Sequence, residues 1–294
     1  MKFNKLRKKK SGNLGISPAI SSVIMTGAMI AILSVALGFA NSFLWARVAE
    51  SDYDSSRQLM QSVGLQIDDV AWTAGRTETI SYATQYGDVE LAEDVITYTI
   101  SVVADGVMHN YVNTTGALMF DLPTYHYSIS DDYWVQLYPD DSQDTSLTLT
   151  GTSAPIARVF EVEQVPMSDG DYIRVVAAPA IRVLYSSINS STTNTCYIRM
   201  YLPVLTAGES PRLYQSITLI GESVEAKTLN VVQSIDVTVD FPAAASGFDS
   251  DFFNFPAVSQ SIDVPTIVSP HDANEYDNVV LELYLSEVSA GFGL

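Results

Sequence analysis

The sequence predicts an α+β chain. A long N-terminal helix, hydrophobic in its first half and amphipathic in its second, is expected to pack on an antiparallel β-rich head of sandwich-like type. Three observations predict this. No charged residue occurs in the 36 positions between Lys10 and Arg47. Beyond Arg47, Tyr53, Met60, Val63, Ile67 and Val70 recur at the spacing of one helix face. After Gly75 the apolar period falls from 3.6 to two, in short runs of β-branched and aromatic residues.

The charge distribution divides the chain the same way. Of 294 residues, 15 are Lys or Arg and 34 are Asp or Glu, a net charge of −19. Lys2, Lys5, Arg7, Lys8, Lys9 and Lys10 form a basic head, and Lys227 is the only later lysine. The chain beyond Lys10 carries nine basic residues against all 34 acids, a net −25. Such a surface repels nucleic acid and anionic lipid headgroups, so both are excluded as partners of the head. A salty habitat, cation binding and plain solubility would each account for the acidity. The lone Cys196 excludes a disulfide framework, and at strand spacing it reads as a small buried hydrophobe.

The first element is the apolar run, whose heart from Ala19 to Trp45 exceeds the roughly 20 residues a helix needs to cross a bilayer. Three membrane readings fit it. A secretory signal would use Gly38-Phe39-Ala40 as its small-x-small cleavage site, although the apolar run continues past that point. An uncleaved anchor would be held by its lysines on the cytoplasmic side, with Trp45 and Arg47 at the outer interface. The third reading rests on the polar break Ser11-Gly12-Asn13-Leu14-Gly15, which lies before the helix and not after it. All three place the remainder outside the cell.

Lys8-Lys9-Lys10, then Leu14-Gly15, then Ile16-Ser17-Pro18-Ala19-Ile20 running into the helix resembles the class III signal peptide of archaeal type IV pilin-like proteins. The resemblance covers residues 5–45. It implies that a prepilin peptidase cuts between Gly15 and Ile16 on the cytoplasmic side, with Gly12 and Asn13 as a competing cleavage point. The hydrophobic segment then stays on the mature chain. Ile20 stands where many bacterial pilins carry a glutamate, which favours the archaeal type. Residue chemistry fits the same junction, since Ser17 is a good N-cap and Pro18 suits a first helical turn.

Within the run, Gly27-x-x-x-Ala31 and Ala36-x-x-x-Ala40 are small-x-x-x-small spacings that let helices approach closely, although small residues are also common in any membrane helix. With no proline from Arg47 to Trp72, a helix from Ser17 to about Trp72 would be about 80 Å long. That plan resembles the long hydrophobic-then-amphipathic helix of type IV pilins. A stalk ending near Trp45 followed by a separate short helix is the alternative.

Gly75 is expected to end the helix. Strands are then expected at 79–82, 96–102, 146–150, 172–176, 196–202, 217–220, 235–240 and 279–285. Asp105-Gly106 and Asp169-Gly170 are expected as hairpin turns, and 222–229 is the one later segment expected to form a short helix. The domain reading is 1–15 leader, 16–74 long helix and 75–294 extracellular head, kept as one domain.

Chemistry-bearing clusters are sparse. Asp140, Asp141 and Asp144 offer some oxygen ligands for calcium, without EF-hand spacing, and read more simply as a solvated loop. Asp131-Asp132 and Asp249 with Asp251 read the same way. His109, His126 and His271 are far apart, and no nucleophile elbow, zinc motif or phosphate-binding glycine loop occurs. The chain therefore reads as a non-enzyme without a cofactor. Asn113-Thr114-Thr115 and Asn189-Ser190-Ser191 are N-glycosylation sequons, both expected in loops. Sixteen Tyr and eleven Phe are expected mostly in the core, with 252–255 dense enough for an interface.

These readings converge on a structural subunit, a major or minor pilin of an archaeal surface filament, assembling through its apolar helix and serving adhesion. The resemblance implies self-association in the filament, with a prepilin peptidase, an assembly ATPase and a membrane platform as partners. It also implies location in the cell membrane and in a surface filament. The alternative is a singly anchored extracellular domain that binds a ligand or cation and does not polymerise.

Overall fold

Helical geometry gives way to extended geometry where the sequence changes its period. The computed structural model describes residues 18–84, 87–123, 134–139, 146–151, 156–163, 172–210, 214–241, 260–267 and 276–293. The chain groups into two units, Met1–Val48 and Ala49–Leu294. One helix, α1, runs over Pro18–Val70 and belongs to the first unit as far as Val48. Pro18 sits in its first turn, where the missing N–H removes no bond, and no proline follows until Pro123.

In the second unit, Met60, Val63, Ile67 and Val70 are fully buried and Tyr53 is half-buried, as their spacing predicts. Leu65, on the opposite face, is exposed. After Val70 the chain turns, with the Thr73 amide donating to the Val70 carbonyl, and Gly75 takes the left-handed conformation at φ 82°. The Gly75 amide then donates to the Gly221 carbonyl at 2.7 Å, and the Gly221 amide to the Arg76 carbonyl at 2.9 Å. A side chain at Gly221 would put Cβ 2.5 Å from the Val70 carbonyl oxygen, so only glycine lets the helix end meet the sheet.

The strands of the second unit, among the described residues, form two sheets. One six-stranded sheet has the order β1 (Thr77–Ser81), β10 (Ser216–Leu229), β13 (Asn278–Gly293), β9 (Asn194–Ala207), β8 (Ile181–Asn189), β5 (Thr148–Thr150). The other, seven-stranded, has the order β12 (Gln260–Ile262), β11 (Val232–Asp240), β2 (Asp88–Ala104), β3 (Val107–Pro123), β7 (Tyr172–Pro179), β6 (Ala157–Glu163), β4 (Trp134–Tyr138). Most neighbours are antiparallel, as expected. Two pairs are not: β13 with β9, and β5 with β8, run parallel. Both sheets curl as half-barrels, where the strand pattern suggests sandwich layers.

Two apolar clusters hold this unit together. One draws on both sheets, with Tyr98 and Ile100 of β2, Phe160 of β6, Ile198 and Met200 of β9, and Leu281 and Leu283 of β13. The other sets the buried stripe of α1 against Leu118, Phe120 and Leu122 of β3, Val159 of β6, Val175 of β7 and Ile217 and Leu219 of β10. Each such fully buried side chain contributes about 1.5–3 kcal/mol relative to exposure. At Gly64 an added Cβ would lie 2.7 Å from Val159 Cγ2, so a missing side chain sets how closely α1 approaches β6.

Every expected strand contains or overlaps an observed one. The turn at Asp105-Gly106 joins β2 to β3 as two residues, both with positive φ (49° and 72°), the geometry of a type I′ hairpin. The turn expected at Asp169-Gly170 lies outside the described residues. The short helix expected at 222–229 is instead the second half of β10. Residues 223–229 pair with 287–281 of β13, and this ladder overrides the helical preference of Glu, Ala, Lys and Leu.

Candidate membrane and assembly helix

From Ala19 to Trp45, α1 carries exposed apolar side chains around its whole circumference. Ile20, Val23, Ile24, Met29, Leu33, Leu37, Phe39 and Phe43 are all more than half exposed. A helix apolar on all sides has no face suited to water and is matched to lipid or to other apolar helices. Among the described residues this is the one helix long and apolar enough to cross a membrane, and it lies near the N-terminus, where anchors and signal sequences both occur. The Arg47 guanidinium lies 5.2 Å from the Phe43 ring centroid, where polar residues begin.

Gly27, Ala31, Ala36 and Ala40 all lie on this exposed helix. A Cβ at Gly27 would meet nothing within 4 Å. The four-residue spacing puts Gly27 with Ala31, and Ala36 with Ala40, on one helix face each. The expected cleavage residues Gly15 and Ile16, with the competing Gly12 and Asn13, lie outside the described residues.

The described head gathers little that resembles catalysis. Asp140, Asp141 and Asp144 lie outside the described residues, as do Asp131-Asp132, Asp249, Asp251, His126, His271 and 252–255. His109 lies on β3, and among the described residues no group of three His, Cys, Asp or Glu could hold a metal ion. Cys196 is free and buried against the core shared by the sheets, and burial pushes its thiol pKa up, which disfavours a thiolate nucleophile.

Several of the few cations of the head are engaged by carboxylates. Arg174, only 2% exposed, holds Asp121 at 2.9 Å, Arg199 holds Glu282 at 2.6 Å, and Arg182 approaches Asp68 at 3.5 Å. Arg76 pairs with Asp69 and Glu78, and Lys227 with Glu225. The acidic surplus of the sequence is therefore left without these counter-charges.

Three features escape sequence reasoning. An aromatic ladder lies on the face of the six-stranded sheet turned to the end of α1. Trp72 meets Tyr201 edge-on at 5.0 Å, Tyr201 stacks on Tyr284 at 4.9 Å, and Arg182 lies 4.8 Å over the Tyr201 ring. The alternation Tyr197-x-Arg199-x-Tyr201 is the signal that could have revealed it. The second is a recess of about 190 Å³ lined by Asn113, Val204, Ser223, Glu225, Leu285, Ser286 and Glu287. It joins strands distant in sequence and leaves no local trace.

The third concerns the sequons. Asn189 ends β8 with its side chain exposed, close to the loop position expected. Asn113 does not lie in a loop: it sits within β3, opposite Tyr98 of β2. No protein-family model matches this chain, and comparison with curated proteins and with solved structures likewise finds no match.

Proposed function

We propose that this chain is a structural subunit, a major or minor pilin, of an archaeal type IV pilus-like surface filament, serving adhesion. One observation carries the proposal: α1 is a single helical run whose first part exposes apolar side chains all round, while its last turns bury Met60, Val63, Ile67 and Val70. A helix of this kind suits two environments in succession. In the membrane the apolar part faces lipid; in a filament the same side chains face neighbouring helices, and Gly27, Ala31, Ala36 and Ala40 allow close approach. The basic head keeps the N-terminus cytoplasmic until a prepilin peptidase removes residues 1–15. An assembly ATPase and its membrane platform then draw the subunit into the filament, and the acidic head is displayed outward from the cell.

The reading is tested by the N-terminus of the protein recovered from the cell surface. A chain beginning at Ile16, or at Asn13 from the competing cut, supports it. Retention of Lys8-Lys9-Lys10 on surface-exposed protein refutes it and leaves a singly anchored extracellular domain.

A further inference from the structure

The geometry points to Asn189 as an N-glycosylation acceptor on the folded head, and to a fold that withholds the second sequon at Asn113. A sequon has two chemical requirements: an asparagine amide the transferring enzyme can reach, and a hydroxyl two residues on. The two sequons differ in both.

At Asn113 both are closed. The residue lies within the β2–β3 ladder, and its Nδ2 is shut off from solvent. The hydroxyl two residues on belongs to Thr115, which is 1% exposed. Its Oγ1 accepts a 2.8 Å hydrogen bond from the Leu205 amide and donates to the Gly116 carbonyl at 3.2 Å. Leu205 is on β9 and Thr115 on β3, so this hydroxyl ties one sheet to the other. Engaging it would require pulling β3 away from β9, and a glycan on Nδ2 would have to fit within the recess of about 190 Å³ that Asn113 lines.

At Asn189 both are open. Asn189 is the last residue of β8, paired across the strand end with Asn194, and its side chain is exposed. The following loop is held by Ser190, whose amide donates to the Thr193 carbonyl at 2.8 Å and whose Oγ accepts from the Thr193 amide at 3.0 Å. Those contacts use Ser190 and leave Ser191, which carries the required hydroxyl, exposed. Beside it Tyr185 and Ile188 are also exposed, and among the described residues β5 pairs with β8 only as far as Val183. A glycan at Asn189 would shield this exposed end of β8 from pairing with another chain.

In the transfer, Asn189 Nδ2 attacks the anomeric carbon of an oligosaccharide carried on a lipid pyrophosphate. The N–C1 bond forms, the C1–O bond breaks, the lipid pyrophosphate leaves with the electron pair, and one amide proton passes to the transferase. The inference presupposes that the head reaches such a donor in the cell, as the proposed function implies, but its test does not depend on export.

The folded full chain in detergent is incubated with a purified single-subunit oligosaccharyltransferase that accepts any Asn-x-Ser/Thr, and with its lipid-linked oligosaccharide. Two unstructured peptides, one spanning each sequon, are run in parallel. Glycopeptide mass spectrometry is expected to find both peptides modified and the folded chain modified at Asn189 alone. Asn189→Gln should then lose the added mass entirely, and Asn113→Gln should keep it. Modification of the folded chain at Asn113, or its absence at Asn189 while the peptide is modified, overturns the inference. An uncleaved leader would overturn the pilin reading and leave this result untouched.

Discussion

The Tyr98 hydroxyl donates a 2.7 Å hydrogen bond to the Pro179 carbonyl from a side chain with no solvent exposure, deep in the cluster built by both sheets. Burial raises the Tyr98 phenol far above its ordinary value, so the folded state holds it neutral. Tyr98→Phe should cost about 1–2 kcal/mol at neutral pH, because the carbonyl loses its partner. An acid whose folded pKa is raised contributes stability below its unfolded pKa and loses it above. The wild-type advantage over Tyr98→Phe should therefore shrink as pH rises past about 10. Urea midpoints of the two proteins at pH 7 and above 10 check this, and an advantage that grows with pH would contradict it.

Gly64 lets α1 lie close to β6, with Val159 Cγ2 only 2.7 Å from where a Cβ would stand. Gly64→Ala gains about 1 kcal/mol of helix propensity but must displace a stiff β-branched neighbour. The overpacking should dominate, for a net loss of about 1–2 kcal/mol. Val159→Ala in the same chain should recover part of that loss, giving a favourable coupling in a double-mutant cycle. Additive effects would show that the two sites do not touch.

Cys196 should behave as a core residue and not as a reactive thiol. It is 2% exposed, and burial raises its pKa. A thiol reagent at pH 8 should label the native protein at the rate of unfolding, while urea-unfolded chain reacts at once. Rapid labelling of the folded protein would place the thiol at the surface.

Gly27→Leu with Ala31→Leu separates anchoring from assembly. Both changes keep the segment apolar, so membrane retention should be unchanged. Bulk on that face should keep helices apart and reduce filament yield several-fold, as counted by electron microscopy. Normal filaments from the double variant would remove this face from the assembly interface.

Where local pattern and tertiary environment agree, the sequence is a sufficient guide. Met60, Val63, Ile67 and Val70 meet one partner surface, so their period survives intact. Cys196, Ile198, Met200 and Leu202 alternate because one face of β9 meets the core shared by the sheets. β3 is not legible because its inner half is buried on both faces: Ala117 and Met119 enter one cluster, and Leu118, Phe120 and Leu122 the other, so no alternation remains. β8 is hidden because Tyr185 to Asn189 are exposed and mostly polar. At 222–229, helix-forming residues take the geometry imposed by β13.

The apolar half of the candidate site is legible for the same reason: composition alone specifies what it must avoid. The closed sequon is not. It depends on the Thr115 hydroxyl meeting the Leu205 amide across ninety residues, a register that no local pattern records.

The most direct measurement is the mass of the N-terminal peptide of surface filaments sheared from cells that make this protein. The account predicts a peptide beginning at Ile16, or at Asn13 from the competing cut, in a chain that forms the filament. Filaments lacking this chain, or a surface chain still carrying Lys8-Lys9-Lys10, would contradict it.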